Sequence, residues 1–171
     1  MSSRISSLNE LNAVDRLTAE PQPLLLSELF HELYQTHNPE AVVAGIHFVL
    51  QPVTQPLSLF VQKKKILLLF ENLFYNALRF TPCDGTIAVS FDFNEKHIIL
   101  KFSDTGHGIS ETDLPHIFKR FYMGKLGQET GGSGLGLYIA KSIIEEHGGT
   151  ISVESKLEEG TVFTITLPRF S

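Results

Sequence analysis

KKKILLLFENLFYNALRFTP, residues 63–82, is the stretch on which the reading of the fold turns. Projected at about 100° per residue, Ile66, Phe70, Leu73 and Ala77 fall within a stripe of about 60°, as on the core-facing side of a helix. The spacing predicts a long helix from about Gln62 to Thr81, stopped by Pro82. Beside the apolar stripe, Asn72, Asn76 and Arg79 cluster within about another 60°, and Phe80 borders both groups. A solvated helix face normally carries Glu and Lys pairs, whereas two carboxamides, a cation and an aromatic ring suit a nucleotide wall. An Asn carbonyl oxygen can join a Mg²⁺ held mainly by phosphates and water, Arg79 can meet a phosphate, and Phe80 can cover an adenine face. An ordinary helix border with incidental polar groups has the same composition, and the helix alone leaves both readings open.

Outward from this helix the chain alternates short strands with two glycine-rich stretches. GIHFVLQP and PLSLFV precede it as two strands; TIAVSFDF and HIILKFSD follow, joined by a turn around Asn94; TISVES and TVFTITL are joined at Gly160. The strand HIILKFSD runs into SDTGHGIS, residues 103–110, so Asp104 stands at a strand end with Gly106 and Gly108 after it. Its carboxylate is an acceptor for an exocyclic amine such as that of adenine, or part of a simple Asp-Gly turn. GGSGLGLYIAK, residues 131–141, places Gly132, Gly134 and Gly136 at alternate positions before an apolar helical stretch. Such a turn is an anion site or a structural turn; neither the Walker nor the Rossmann spacing is met. The pattern predicts an α+β fold, a two-layer α/β sandwich whose mixed, largely antiparallel sheet is covered by helices on one face.

Upstream, residues 2–18 carry Ile5, Leu8 and Leu11 at helical spacing, and PQP at 21–23 reads as a linker. Leu29, Phe30, Leu33 and Tyr34 suggest a further helix that Pro39 ends or bends. The 171 residues, 42% hydrophobic with 13 phenylalanines, suffice for one domain with a short appendage. A net charge of −5 gives no electrostatic footprint for nucleic acid. One cysteine, Cys83, suits a reducing compartment, and no stretch is long enough to cross a membrane, so a cytoplasmic location without direct membrane insertion is expected.

In order along one chain stand an Asn-x-x-x-Asn helix, an Asp-x-Gly-x-Gly turn, a Phe-x-x-Phe segment, and Gly-x-Gly-x-Gly before a helix. Together they resemble the ATP-binding catalytic domain of bacterial two-component sensor histidine kinases, in the wider group of gyrase, the 90-kilodalton heat-shock chaperones and mismatch-repair ATPases. ENLFYNALRFTP resembles the N box, DTGHGI the first glycine box, IFKRFY the F box and GGSGLGL the second glycine box. The resemblance covers residues 24–171. It implies a Bergerat-type, left-handed β-α-β sandwich that binds ATP and Mg²⁺ under a mobile lid over residues 123–132. Asn76 takes the place of the Mg²⁺ ligand, with Asn72 lining the same site. Arg79 stands for a lysine near the phosphates and Phe80 for the tyrosine that packs on adenine. Asp104 matches the acceptor of the adenine amino group, with Gly106, Gly108 and Ile109 shaping that end. Gly132, Ser133, Gly134, Leu135, Gly136 and Leu137 form the lid's far hinge over the triphosphate. Arg120 matches an arginine that reaches the phosphates, Lys119 replaces a glutamate, and Phe118 and Phe121 anchor the lid by packing.

Hydrolytic members of the group place a Glu one turn before the metal-binding Asn. Here that position is Asn72, which cannot act as a base, while Glu71 projects about 140° from Asn76. The resemblance therefore implies phosphoryl transfer to a histidine, catalysed with Asn72, Asn76, Arg79 and Arg120, and a response-regulator receiver domain as downstream partner. His31-Glu32 begins like an acceptor motif but continues Leu-Tyr-Gln-Thr, without its basic residue and proline. Residues 1–23 resemble the end of a dimerisation helix plus linker, so the acceptor is expected on a dimerisation domain outside this chain. Two alternatives remain at the level of sequence: a nucleotide-binding regulator without turnover, and an anti-sigma-type serine kinase of the same fold.

Overall fold

The structure, a computed structural model, describes residue 11, residues 19–124 and residues 134–171. Apart from Leu11, the expected N-terminal helix lies outside the described residues, as do residues 125–132 of the expected lid. The elements are β1 (Gln22–Leu25), α1 (Leu26–Ala44), β2 (His47–Leu50), β3 (Ser58–Val61), α2 (Lys63–Phe80), β4 (Thr86–Phe93), β5 (His97–Asp104), a 3₁₀ turn (Leu114–His116), α3 (Gly136–Glu146), β6 (Thr150–Lys156) and β7 (Gly160–Phe170).

Seven strands form a sheet in the order β1-β3-β7-β5-β4-β2, with β6 also on β7. The β2–β4 pair is parallel and the other pairs are antiparallel. β7 is the hub. One edge holds β5 along Thr161–Pro168, and the other holds β6 along Gly160–Thr166 and then β3 at Arg169–Phe170.

Period-2 alternation sends one set of side chains inward from every strand. Across β5 and β7 the inward pairs are Ile98 with Leu167, Leu100 with Ile165, Phe102 with Phe163, and finally Asp104 with Thr161. β6 extends the last three rows with Ile151, Val153 and Ser155. The inner face is therefore apolar until its final row, which is Asp104, Thr161 and Ser155.

The helices cover this face. α2 buries Ile66, Leu69, Phe70, Leu73, Phe74 and Ala77, the stripe expected from its periodicity. Phe70 meets Phe102 at 6.3 Å between ring centroids, Phe74 meets Phe48 edge-on at 5.2 Å, and Phe30 of α1 meets Phe91 at 5.9 Å. α3 buries Ile139, Ala140, Ile143 and Ile144. Its end is tied to the start of α2 by the Lys65–Glu146 ion pair and by the Gln62 N–H, which donates to His147 Nε2 at 3.1 Å.

Two local expectations are corrected. Of the two outcomes expected at Pro39, the end of the helix is ruled out: α1 runs on to Ala44 and closes on Gly45 in the left-handed conformation, φ 72°. Both Pro39 and Gln35, whose carbonyl loses its helical donor, are exposed, so water satisfies what the proline removes. The PQP linker is in part a strand: Gln22 pairs with Val61 and Pro23 with Phe60. A proline is tolerated there because β1 is an edge strand.

Phe70→Ala should cost about 3–5 kcal/mol in urea unfolding, the usual penalty for emptying a large aromatic site in a core. His37 supplies a second prediction. It is 3% exposed, stacked on Phe74 at 4.6 Å, and its Nδ1 has no partner. Burial lowers its pKa below 6.5, against the opposing charge of Glu40. The unfolded chain then binds a proton that the folded chain refuses, so stability is lost as pH falls below about 6.5. His37→Phe should flatten that part of the stability–pH curve, measured by thermal unfolding between pH 7 and 5.

Candidate nucleotide site

Three segments converge at the polar end of the inner face: the second half of α2, the turn after β5, and the start of α3. On α2, Asn72 and Asn76 are half-buried one turn apart. The Asn72 Nδ2 donates to the Leu68 carbonyl at 2.9 Å, and its Oδ1 faces Gly136, where an added Cβ would lie 3.2 Å away. Glycine at the first position of α3 thus lets that helix N-terminus approach the asparagine face. Arg79 is exposed, with its guanidinium 5.7 Å from the Phe80 ring. Glu71 lies on the side of Tyr75. That phenol is pushed up to about 12 by its hydrogen bond to Glu40, by burial, and by the charges of Glu40 and Glu71.

The turn after β5 is stitched to the end of α2. The His107 N–H donates to the Phe80 carbonyl at 3.1 Å, and a Cβ on Gly106 would lie 2.6 Å from that oxygen. Asp104 and Phe80 are thereby brought to the same end of the site. The Asp104 carboxylate accepts the Gly106 N–H at 2.8 Å. Burial raises its pKa, opposed by the backbone N–H groups of Gly106 and Thr161. Gly108, φ 77°, passes so close to the β6–β7 hairpin that a Cβ would meet the Lys156 carbonyl. Ile109 is fixed there too, its N–H donating to Ser155 Oγ at 2.7 Å.

The F-box segment meets the second glycine stretch. The Phe121 N–H donates to the Gly134 carbonyl at 2.8 Å, and Gly134, φ 76°, leaves no room for a side chain against the Phe121 backbone. Leu135 is buried and Leu137 half-buried at the start of α3. Phe118 packs edge-on against Phe163 at 6.1 Å, and Arg120 is exposed over the rings of Phe121 and Tyr138 at 5.6 and 5.5 Å. Lys119 turns along the surface, its Nζ 2.6 Å from His116 Nδ1. Gly132 and Ser133 lie outside the described residues. Sequence reasoning missed Ser155 and Thr161. The alternation of TISVES and TVFTITL, carried to the strand ends, puts both on the inward face, and the register of β6, β7 and β5 brings them beside Asp104.

An asparagine helix, a carboxylate at a strand end and two glycine turns at one end of a helix-covered sheet define an ATP-binding catalytic domain of the sensor-kinase type. The chain belongs to the histidine kinase-, DNA gyrase B-, and HSP90-like ATPase family, which matches residues 62–171. Among its relatives is the sensor protein SrrB of Staphylococcus aureus, 48% identical over 100 residues. That match covers 57% of this chain and 17% of SrrB, so the chain spans a small part of that relative. Among solved structures, the catalytic domain of histidine kinase ThkA superposes with a TM-score of 0.76 at 28% identity, covering 88% of this chain and 98% of that one. Full-length ShkA, solved in complex with AMPPNP, gives a TM-score of 0.80 at 21% identity over 99% of this chain and 36% of ShkA, which shows a shared fold.

The raised pKa of Asp104 makes the site costly without ligand. A folded pKa above 3.8 means the folded state loses stability as pH rises from about 4 through that pKa, because a charge is being buried. Asp104→Asn should therefore raise the thermal midpoint of the ligand-free chain at pH 7, with the difference shrinking as pH approaches 4. The same substitution should weaken ATP binding, measured by calorimetry at pH 7, by about tenfold or more, because an ionised hydrogen-bond acceptor is lost.

Proposed function

We propose that this chain holds Mg²⁺-ATP for transfer of its γ-phosphoryl group to a histidine on a dimerisation domain, and does not itself hydrolyse ATP. The observation that carries this reading is at Asn72. The position one turn before Asn76 holds a carboxamide engaged with Leu68, while the nearest carboxylate in sequence, Glu71, acts on Tyr75. No base for water is thus supplied on the asparagine face of α2. Phosphoryl transfer asks chiefly for positioning and charge stabilisation, which Arg79, Arg120 and the N–H groups at the start of α3 are suited to give. The phosphorus–oxygen bond to ADP breaks as a phosphorus–nitrogen bond to the acceptor imidazole forms.

In this reading Phe80 and Asp104 take the adenine, Gly106, Gly108 and Ile109 shape that end, and residues 132–137 border the triphosphate. Among the described residues no group of three or more His, Cys, Asp or Glu side chains could hold a metal ion. That fits a Mg²⁺ brought by the triphosphate, to which Asn76 adds one neutral oxygen. The metal, when bound, neutralises phosphate charge. Residues 1–23 are read as the end of a dimerisation helix and its linker and residues 24–171 as the catalytic domain; β1, Gln22–Leu25, crosses that boundary, so the last two linker residues join the sheet. No helix among the described residues is long and apolar enough to cross a membrane. Its likeness to part of a sensor protein supports reading the chain as the cytoplasmic part of a larger receptor that passes phosphate to a response regulator.

With labelled ATP, Mg²⁺ and an added dimerisation domain, the expected product is acid-labile phosphohistidine. An acid-stable product would favour the serine-kinase alternative, and tight binding without transfer would favour the regulatory module. Asn76→Ala should weaken Mg²⁺-dependent ATP binding by about tenfold or more, and unchanged binding would reject its metal role.

A further inference from the structure

The final row of the inner face contains a hydroxyl whose bonding capacity is full. Ser155 Oγ accepts the Ile109 N–H at 2.7 Å, contacts the Gly160 carbonyl at 2.8 Å, and lies 2.8 Å from Thr161 Oγ1. A hydroxyl has one hydrogen and two lone pairs, and a carbonyl offers no hydrogen. The Gly160 contact is therefore a bond only if Ser155 donates, which spends its single hydrogen. The Thr161 contact must then use the Thr161 hydrogen. Thr161 is 5% exposed, pairs with Asp104 across β5 and β7, and its backbone N–H reaches the Asp104 carboxylate. With its hydrogen held by Ser155, the Thr161 oxygen can offer only lone pairs to its other neighbours.

We infer that Ser155 is a positioning residue that sets base selectivity by locking the Thr161 hydroxyl as an acceptor beside the Asp104 carboxylate. Both groups at this end then ask for a donor. A purine with an amino group at C6 meets that demand. A purine with a carbonyl there turns a further acceptor toward these two, and its single neighbouring N1–H can pair with only one of them, so at least one acceptor is left unpaired. Through Ile109 the same hydroxyl clamps the glycine turn to β6, so geometry and polarity are set together. The inference rests on the nucleotide reading above.

The test is competition of ATP and GTP against a ribose-labelled fluorescent ATP analogue on the full chain, read as the ratio of the two affinities. The wild type should prefer ATP. Ser155→Ala frees the Thr161 hydrogen to turn toward a carbonyl, and the preference should fall by about tenfold. Ser155→Thr, which keeps the hydroxyl, should restore it, and Thr161→Val, which removes the acceptor, should lower it as Ser155→Ala does. An unchanged ratio in Ser155→Ala, even with both nucleotides weakened in parallel, would mean that Ser155 only supports the fold, and would overturn the inference. Should Ser155→Ala not fold, Thr161→Val decides: a wild-type ratio there overturns it as well. A wild type that binds neither nucleotide rejects the nucleotide reading, and this one with it.

Discussion

Phe70 on Phe102 and Phe74 on Phe48 seat α2 against the sheet, and the rest of the domain follows from that contact. A helix is rigid about its own axis, so pinning the apolar stripe also fixes where the neighbouring stripe points. Asn72 and Asn76 need no separate device to aim them. The same packing brings the C-terminal end of α2 within reach of the turn after β5, where the His107 N–H finds the Phe80 carbonyl. Core and site are thus two faces of one helix, and a substitution that rolls α2 by a few tens of degrees would spoil both.

At its polar end the core trades stability for chemistry. The rows from Ile98 to Phe102 bury apolar side chains, and the row at Asp104 keeps a carboxylate partly out of water. Two backbone N–H groups soften that cost without removing it, which is why burial still holds the pKa up. A ligand amine that completes the carboxylate's hydrogen bonds would relieve it. The free energy spent in burying that charge is then available to favour a ligand that offers the amine.

Much of this was legible in the sequence because it is periodic or punctuated. The 3.6-residue period of residues 63–82 placed the apolar stripe of α2, and the runs TIAVSFDF, HIILKFSD, TISVES and TVFTITL located β4, β5, β6 and β7. Gly106, Gly134 and Gly136 were visible as glycines, and the structure supplies the reason for each: a Phe80 carbonyl, a Phe121 backbone and an Asn72 side chain occupy the space a Cβ would need. What escaped depends on tertiary context. The tolerance of Pro39 depends on which side of α1 faces water, and that of Pro23 on β1 being outermost. The roles of Ser155 and Thr161 depend on the register of β6 against β7 and β7 against β5, which pattern alone does not fix.

The placement of β1 and β2 also bears on how the protein behaves in a crowded solution. Open sheet edges recruit other chains, since their unpaired N–H and C=O groups offer a template. Among the described residues three strands are paired on one side alone: β1 and β2 are four residues each, β1 contains Pro23, which has no N–H to offer, and the seven-residue β6 exposes the charged Glu154 and Lys156. The long strands with continuous ladders, β5 and β7, lie in the interior of the sheet. The proline that disguises β1 as a linker in the sequence thus also blunts that edge against aggregation.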